Sequence, residues 1–549
     1  MTNSPAQKKP ADKAAATENT DGLWIGPITD TVLSTFKDQD LYTCAAGISP
    51  SGIVHFGNFR DVITSFAVVT ELKARGKKAR LLFSWDDYDR FRKVPVGIDQ
   101  SFSRYIGYPL TAVPDPWGEF PSYARRYEVE FENSMKELGI DLDYRYQTKE
   151  YTSGRYADEI AFVLQNREKV ADIQLQFKTD KGNADKGIDP ETYRKTYYPV
   201  VVYSRFSNTD KAEILSYDGG TKLTYRCVVT DKTETIDFKE TPIVKLQWKI
   251  DWPMRWGVEK VHFEPGGKDH ATPGGSYDVS ATIARELFKR EPPVFQGYQF
   301  VGLQGVSSKM SGSTGLAVSP ATLLQIYEPA LLKWLYMRRA PTQSFNLAFD
   351  TEVYRQYDEF DREVAAFRQG KCTPSRQKIL TFSGVPAAAE EKATIPFKQA
   401  VALGQITQWR VAQLQELAEK SGFSYNAASI AARLPKAQSW LVNYNPAEII
   451  QLRDVVNAEY LATLSADGKE RVTKLRDYLS GTIESVAVLE EKVYAIPKRP
   501  DMSEQDMKQA QRAFFKDVYN LLIGKDAGPR LSTFLWAVDR ATVLRLLSI

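Results

Sequence analysis

Residues 41–58, LYTCAAGISPSGIVHFGN, join an apolar run to a loop rich in glycine, proline and serine that contains a histidine. The run 41–47 predicts a buried strand, because it is short, apolar and followed at once by turn-forming residues. Beyond the loop, apolar residues recur at three- and four-residue spacing from Phe59 to Leu72 and stop before Gly76. This spacing predicts an amphipathic helix with a glycine after its C-terminus. The stretch is therefore expected to form a strand, a loop and a helix.

The next apolar run, ARLLFSWDD at 79–87, predicts a second strand, so that residues 41–87 form a βαβ unit. A second such unit is predicted far downstream, with a strand, a helix and a strand at 260–265, 276–290 and 298–303. Residues from about 95 to 250 lie between the two units and contain their own aromatic-rich pattern. The simplest architecture is an α/β, Rossmann-type, doubly wound sheet that is interrupted by a long insertion.

The composition changes near residue 346, since only 8 of the 33 glycines follow that position. Long segments with helical periodicity appear there, such as VAQLQELAEK and AFFKDVYNLLIG. We therefore expect a disordered N-terminal tail, an α/β catalytic domain and an all-α domain, at residues 1–21, 22–345 and 346–549.

The bulk composition excludes several classes of protein. Lys and Arg number 72 and Asp and Glu 69, so the net charge of +3 does not point to a polyanion-binding molecule as a whole. Three widely spaced cysteines, Cys44, Cys227 and Cys372, argue against a disulfide framework. No apolar run approaches the roughly 20 residues that a membrane helix needs. These features predict a cytoplasmic protein without a membrane segment.

The loop before the first helix has the chemistry of a phosphate site. Gly52 and Gly57 allow the backbone to approach a ligand closely, while His55 and Asn58 supply side-chain donors. Ligands of open α/β sheets bind beyond the carboxyl ends of the strands, where a helix N-terminus favours anions. The loop is therefore suited to polyphosphate. A helix-capping turn with an incidental histidine is the alternative that the loop alone leaves open.

A second stretch, GVSSKMSGSTG at 305–315, resembles the K-M-S-K-S signature of class I aminoacyl-tRNA synthetases, and HFGN resembles their H-I-G-H signature. More narrowly, the sequence resembles the class I lysyl-tRNA synthetases from about residue 22 onward. Five blocks carry this resemblance in the same order: GISPSGIVHFGN, WKIDWPMRW, FEPGGKDHATPGGSYD, KMSGSTG and LLIGKDAGPRL. Asn58 replaces the second signature histidine, and Gly312 replaces the second signature lysine.

The resemblance implies ATP-dependent activation of lysine to lysyl-adenylate and its transfer to tRNA(Lys). It implies His55 and Lys309 as catalytic residues, because the attack on the α-phosphorus needs positioning and charge stabilisation. Lys309 would close over the β- and γ-phosphates, with Mg²⁺ arriving on ATP. The ATP-binding residues implied are Ser51, Gly52, His55, Gly57, Asn58, Gly267, Asp269, Lys309, Met310 and Ser311.

Lysine selection requires a slot for an aliphatic stem and a recognition point for an ammonium group, and aromatic side chains suit both. The resemblance points to Gly47 and Ser49 at the α-amino end of lysine. It points to Trp248, His270 and Tyr298 around its side chain. Two further tryptophans and the acidic strand end at 85–90 are alternative contacts: Trp252, Trp256, Asp86, Asp87 and Asp89.

Many class I lysyl enzymes hold a zinc ion in the insertion with two Cys-x-x-Cys-like pairs. Here Ser204 and Ser207 stand where the first pair would be, and the second retains only Cys227. One thiolate cannot complete a tetrahedral zinc site, so we expect no structural zinc and an insertion held by apolar packing. The resemblance also implies an anticodon-binding role for the helical part, and we expect a monomer.

Three other functions fit parts of the pattern. A nucleotidyltransferase would share the histidine loop, but such enzymes are usually short and lack the helical half. A glutamyl-tRNA synthetase would share the fold, but its pocket should carry cationic residues in place of the tryptophans. A tRNA-binding paralogue without activity would not need His55, Asp269 and Lys309.

Overall fold

The computed structural model describes residues 23–177, 189–304, 318–388, 390–500 and 502–549. Strands are numbered along the chain. They are β1 Tyr42–Ile48, β2 Ala79–Trp85, β3 Asp143–Tyr146, β4 Val200–Val202, β5 Ala212–Tyr217, β6 Lys222–Cys227, β7 Thr233–Asp237, β8 Val244–Leu246, β9 Val261–Gly267, β10 Val294–Tyr298, β11 Val301–Gln304 and β12 Phe345–Ala348.

The α-helices of the first half are Ile25–Thr35, Phe56–Ala74, Tyr123–Glu137, Gln147–Thr152, Ala157–Gln165, Arg167–Gln176, Pro190–Thr196, Trp248–Val258, Ser276–Glu286, Pro320–Leu324 and Pro329–Met337. Those of the second half are Glu352–Arg368, Pro374–Phe382, Phe397–Ile406, Val411–Lys420, Ala427–Tyr444, Ala458–Thr463, Ala466–Ser480, Val486–Ala495, Glu504–Ile523, Leu531–Ala537 and Arg540–Leu546. None of the helices in the described ranges has the length and apolarity that crossing a membrane requires.

The central sheet is parallel and has the strand order β10-β9-β1-β2-β3. It confirms the Rossmann-type α/β fold class, and the strands predicted at 41–47, 79–87 and 260–265 are β1, β2 and β9. Helix Phe56–Ala74 follows β1, and Gly76 after it has a φ of +75°, which suits a glycine at the end of a helix. The first βαβ unit therefore forms as its apolar periodicity predicts.

The strand predicted at 298–303 is wrong. The strand that follows β9 in the central sheet is the edge strand β10, which ends at Tyr298. Strand β11 belongs to a separate two-stranded sheet with β12. The chain leaves the central sheet at Gln299, because its amide donates to the carbonyl of Pro341 and its carbonyl accepts from Arg60. Apolar residues run through both strands, so hydrophobicity alone does not reveal the break.

The insertion expected over about 95–250 contains part of the central sheet. Within it, helix Tyr123–Glu137 leads to β3, which pairs in parallel with β2 from Leu82↔Asp143 to Trp85↔Tyr146. The remainder of that range includes two small antiparallel sheets, β4-β8 and β5-β6-β7. The strand was missed because β3 is short and its sequence, DYRY, is polar and only half buried.

The hydrophobic core does not divide at residue 346. One cluster of buried side chains extends from Leu23 in the α/β part to Leu441 in the helical part. A second cluster of the helical part extends from Val472 to Leu547. The helices nearest the sheet therefore share its core, and the later helices pack around a core of their own.

Candidate active site

A cavity of about 870 Å³ opens at the carboxyl ends of β1, β9 and β10. This size falls within the usual range for small-molecule sites, and the position is where open parallel sheets bind ligands. Of the fifteen residues that the family resemblance implies for ATP and lysine, nine line the cavity: Gly47, His55, Gly57, Asn58, Trp248, Gly267, Asp269, His270 and Tyr298.

Three other predicted residues lie in the neighbouring loop but outside the cavity lining. Ser49 donates through Oγ to the carbonyl of Asp86 at 3.4 Å, and the carbonyl of Ser51 accepts from the hydroxyl of Tyr123. Gly52 is buried. The remaining predicted residues, Lys309, Met310 and Ser311, lie outside the described residues.

His55 is the N-cap of helix Phe56–Ala74, and its Nδ1 accepts from the amide of Gly57 at 3.0 Å. A neutral imidazole that accepts at Nδ1 carries its proton on Nε2, which is then a donor. Burial lowers the pKa of His55, which favours this neutral form. A Cβ on Gly57 would lie 2.8 Å from the imidazole ring, so glycine is needed for this close approach.

The amide of Phe56 donates to the carbonyl of Val318 at 2.8 Å. Leu303 also lines the cavity. Both ends of the stretch between Gln304 and Val318, which includes the lysine motif, are therefore beside the histidine loop. One of the helix's first amides is used for this link, so fewer are left for an anion than the sequence suggested.

The loop after β9 carries Asp269 and His270 side by side. The side chain of Asp269 is 69% exposed, and its Oδ2 lies 4.0 Å from His270 Nε2. A Cβ on Gly267 would lie 2.5 Å from Asp269 Oδ1, so this glycine makes room for the carboxylate. The amide of His270 donates to the carbonyl of Gly267. The arrangement presents an exposed carboxylate at the mouth of the cavity.

Helix Trp248–Val258 places three tryptophans along the cavity, one per turn. Trp248 stacks on Trp252 with ring centroids 5.0 Å apart and 18° between planes, and Trp252 lies 5.0 Å from Trp256. Trp248 is 38% exposed, whereas Trp252 and Trp256 are each 5% exposed. His270 approaches Trp252 edge-on at 5.9 Å. Trp248 therefore has the indole surface most accessible to a ligand.

Asp61 and Glu264 form what we call the acidic wall of the cavity, and they were not predicted from the sequence. They are 6% and 8% exposed, and neither has an ion-pair partner among the described residues. Asp61 accepts from the amide of Gly47 at 3.2 Å and from the hydroxyl of Tyr298. Their only signal in the sequence is a carboxylate within an apolar helix or strand pattern.

The acidic wall accepts hydrogen bonds from neutral groups only, although the charge of Arg255 also acts to lower the pKa of Glu264. Burial, followed by the charge of Glu264, raises the pKa of Asp61 well above its usual range. Burial raises the pKa of Glu264 to about 7, although the indoles of Trp252 and Trp256 donate to it and act in the opposite direction. The bond from Trp256 Nε1 to Glu264 Oε2 is 2.6 Å long. Both carboxylates would be stabilised by a cation from outside.

Asp86, Asp251 and Arg255 form what we call the paired wall. Arg255 Nη1 donates to Asp86 Oδ1 at 2.7 Å and to Ser84 Oγ at 2.8 Å, and Nη2 lies 3.2 Å from Asp251 Oδ2. The Arg255 guanidinium also lies 5.2 Å from the ring centroid of Trp248. Carboxylates of this wall therefore have a cation within the protein.

The other two aspartates of the strand end are engaged as well. Asp89 pairs with Lys245 at 2.5 Å, which lowers the pKa of Asp89 although burial acts to raise it. Asp87 accepts from the amide of Thr148 at 2.7 Å, and neither residue lines the cavity. Burial raises the pKa of Asp87 to about 7. Of the three aspartates proposed from the sequence, only Asp86 borders the ligand space.

No group of three or more His, Cys, Asp or Glu side chains suited to a metal ion occurs within the described ranges. The possible metal ligands at the cavity mouth are the exposed carboxylate of Asp269 and the imidazole of His270. These two groups are too few for a Mg²⁺ site built by the protein alone.

Comparison with known proteins identifies the family. The family described as "tRNA synthetases class I (K)" matches residues 22–384. Three proteins named lysine–tRNA ligase match nearly the whole chain. The one from Streptomyces coelicolor is 35% identical over 97% of this chain and 99% of its own length. Those from Treponema pallidum and Pyrococcus horikoshii are 32% and 31% identical, over 96% and 95% of this chain and 98% and 99% of theirs.

Among solved structures, a glutamate tRNA ligase from Elizabethkingia meningosepticum aligns over 92% of this chain and 98% of its own, with a TM-score of 0.44 and 10% identity. The assignment does not depend on that alignment. The family match spans most of the chain, the relatives match end to end, and the cavity lies at the strand ends beside the histidine signature. The chain belongs to the class I lysyl-tRNA synthetases.

Proposed function

We propose that the protein activates lysine with ATP and transfers it from lysyl-adenylate to tRNA(Lys). The observation that carries this proposal is the acidic wall, which places two buried carboxylates, neither with an ion-pair partner among the described residues, beside the histidine loop in one cavity. Lysine brings two ammonium groups, whereas glutamate brings one ammonium and a second carboxylate. The wall would attract the first amino acid and repel the second. The names of the relatives support the same substrate.

ATP would bind along the histidine loop and the loop after β9. His55 Nε2 and the side-chain amide of Asn58 are donors suited to phosphate oxygens, next to the N-terminus of helix Phe56–Ala74. Asp269, exposed at the mouth, would accept from the ribose hydroxyls. Mg²⁺ would enter with ATP, bound mostly by phosphate oxygens and water.

Lysine would lie between the acidic wall and helix Trp248–Val258, which we call the tryptophan helix. Its aliphatic stem would pack on the exposed surface of Trp248, and its ammonium groups would approach Asp61 and Glu264. Gly47 lies at the same place, because it lines the cavity and its amide donates to Asp61. Gly47 and Ser49 would hold the α-amino end of lysine, while His270 and Tyr298 would join Trp248 around its side chain, so that the lysine carboxylate is left free to approach the α-phosphate.

In the activation step, a carboxylate oxygen of lysine attacks the α-phosphorus, and pyrophosphate leaves with the electrons of the broken P–O bond. The protein supplies positioning and donors for the growing negative charge. His55 would donate from Nε2 without changing its protonation state. Lys309 would close over the leaving phosphates, and its segment begins and ends beside the cavity. With Gly312 at the motif's fourth position, Lys309 would carry more of this stabilisation.

The third substrate of the reaction is tRNA, and we propose that the anticodon binds to the helical part that follows residue 346. The family resemblance of its last block, LLIGKDAGPRL, supports this placement. We further propose that the protein works in the cytoplasm as a monomer, and that no structural zinc supports the insertion.

The decisive experiment is aminoacylation of total tRNA with each of several labelled amino acids. Label should enter acid-precipitable tRNA from lysine and not from glutamate. Incorporation of glutamate in place of lysine would refute the assignment of the pocket. Lysine-dependent exchange of pyrophosphate should also require tRNA, as the family resemblance implies, and robust exchange without tRNA would contradict that extension.

A further inference from the structure

Two loops of the insertion, residues 204–209 and 227–232, share one backbone geometry. In the first loop, the amide of Ser204 donates to the carbonyl of Thr209 at 2.9 Å. The amide of Asn208 donates back to the carbonyl of Ser204 at 2.7 Å. Asn208 has a φ of +57°, a left-handed conformation that few residues other than glycine adopt. The loop is thus closed by two backbone hydrogen bonds around one left-handed residue.

The second loop repeats each of these features at the same spacing. The amide of Cys227 donates to the carbonyl of Lys232 at 2.8 Å, and the amide of Asp231 donates to the carbonyl of Cys227 at 2.8 Å. Asp231 has a φ of +56°. The two loops are therefore conformational repeats, in which Cys227 corresponds to Ser204.

Side chains at the first and fourth positions of both loops converge on one point. Cys227 Sγ lies 3.3 Å from Ser207 Oγ, and the hydroxyls of Ser204 and Thr230 also form hydrogen bonds with this sulfur. Three hydroxyls, two from the first loop and one from the second, therefore surround the sulfur of Cys227.

Paired loops that each contribute their first and fourth residues form the usual frame of a four-thiolate zinc site. The donors present here do not fit the metal, because serine and threonine hydroxyls do not ionise readily and only one thiolate remains. We propose that positions 204, 207, 227 and 230 are a zinc-site frame in which hydroxyl–thiol hydrogen bonds replace the metal. Cysteine at the three hydroxyl positions should then be sufficient to bind one Zn²⁺.

The surrounding contacts are those of a structural cluster. Ser204 and Cys227 are fully buried, and Ser204 Oγ accepts from the amide of Phe206 at 3.2 Å. Ser207 Oγ lies 2.9 Å from the hydroxyl of Thr209, which continues the network within the first loop. The cluster does not border the active-site cavity, so its test needs neither lysine nor tRNA.

The gain-of-metal experiment uses the full-length triple variant Ser204→Cys, Ser207→Cys and Thr230→Cys. After dialysis against buffer without metal it should keep one zinc per chain, and Co²⁺ should give the absorption of tetrahedral thiolate coordination. Adding Cys227→Ser to the triple variant is the matched control and should abolish stoichiometric binding. A folded triple variant that binds no zinc, or a control that binds it equally, would overturn the proposal.

The wild-type cluster is tested by Ser207→Ala, with Ser216→Ala on the exposed strand β5 as its control. Hydrogen exchange of the amides in both loops should become roughly tenfold faster in Ser207→Ala, because a buried hydrogen bond is lost. The control should leave exchange unchanged. Equal exchange in the two variants, or one tightly held zinc per wild-type chain, would show that the hydrogen bonds do not replace a metal.

Discussion

The acidic wall and the paired wall border the same cavity, but their carboxylates are stabilised in different ways. On the paired wall, Asp86 and Asp251 each contact the guanidinium of Arg255. On the acidic wall, Asp61 and Glu264 contact only neutral donors, namely a backbone amide, a phenol and two indoles. Burying a carboxylate without a cation is unfavourable, so such a pair has to be explained by something other than stability.

The difference separates structural charge from charge that serves a ligand. Carboxylates with an internal cation are complete before any substrate arrives, and removing that cation should damage the fold. Carboxylates without one remain unfavourable until a cation enters the cavity, and removing them should damage binding. The two walls therefore predict opposite outcomes when one charged side chain is removed: a loss of stability at the paired wall and a loss of ligand binding at the acidic wall.

The largest effect is expected at the paired wall. Arg255→Met should lower the free energy of unfolding by about 3–5 kcal/mol, because it leaves two buried carboxylates without their cation. Chemical denaturation of the free protein measures this. The matched control, Arg226→Met, breaks exposed pairs with Glu213 and Asp231 and should leave the stability nearly unchanged. Equal losses in the two variants would remove the distinction between the walls.

The histidine loop should affect the reaction without affecting either wall. His55→Ala should raise the activation free energy of lysine activation by about 2–4 kcal/mol, as for removal of one transition-state donor. The rate should therefore fall roughly 30- to 1000-fold. Lysine affinity should hardly change. Single-turnover kinetics separate the two quantities, with circular dichroism as a check of the fold. A normal rate with weakened lysine binding would place His55 in the amino-acid site instead.

Asp61→Asn should show the reverse of the arginine variant. Lysine affinity should fall by about 1.5–3 kcal/mol, or roughly 10- to 150-fold, because a charged hydrogen bond to an ammonium is lost. Stability should be unchanged or higher, since a carboxylate whose ionised form is disfavoured by burial has been removed. Equilibrium dialysis and denaturation report the two effects. A large loss of stability with normal lysine affinity would make Asp61 structural.

The raised pKa of Glu264 predicts that lysine binding depends on pH. A pKa of about 7 in the free protein means that Glu264 must lose a proton to receive an ammonium group. Lysine affinity should therefore rise roughly tenfold between pH 6 and pH 8, with proton release on binding below pH 7. Without lysine, the raised pKa of Glu264 affects stability in the other direction. The contribution of this carboxyl group to the free energy of unfolding falls as the pH rises toward 7. Glu264→Gln should flatten the affinity profile, and an unchanged profile would exclude this role.

The smallest effect on lysine binding is expected at Trp248, on the helix Trp248–Val258 that carries the three tryptophans. Trp248→Leu keeps an apolar contact for the lysine stem but removes the ring, so lysine affinity should fall by about 0.5–1 kcal/mol. Trp117→Leu, at another exposed tryptophan outside the cavity lining, is the control and should have no effect on lysine binding. Equal binding by the two variants would show that the stem packs elsewhere.

Local patterns in the sequence were enough for much of the fold. Apolar periodicity placed β1, β2, β9 and helix Phe56–Ala74, because these elements bury regular faces. Periodicity failed for β3, which is polar and half buried, and at Gln299, where tertiary hydrogen bonds end a strand inside an apolar run. Such breaks depend on distant partners, which local patterns do not contain.

The same limit applies to the site. The histidine loop and the tryptophan helix were predicted because their residue types and spacing are unusual within short windows. Asp61, Glu264 and Arg255 were missed, although each lies within or next to a stretch that was singled out. Their importance comes from which charges meet across three elements of the fold, and the equivalence of Thr230 with Ser207 appears only when two loops are compared in space.

The shared core that extends from Leu23 to Leu441 bears on how this architecture can be inherited. A genetic exchange at residue 346, where the composition changes, would separate side chains that pack together and leave both products with exposed apolar surface. An exchange after helix Ala427–Tyr444 would transfer a segment that has its own core, from Val472 to Leu547. The unit that evolution can replace is therefore the last hundred or so residues, while the helices before them are inherited together with the catalytic sheet.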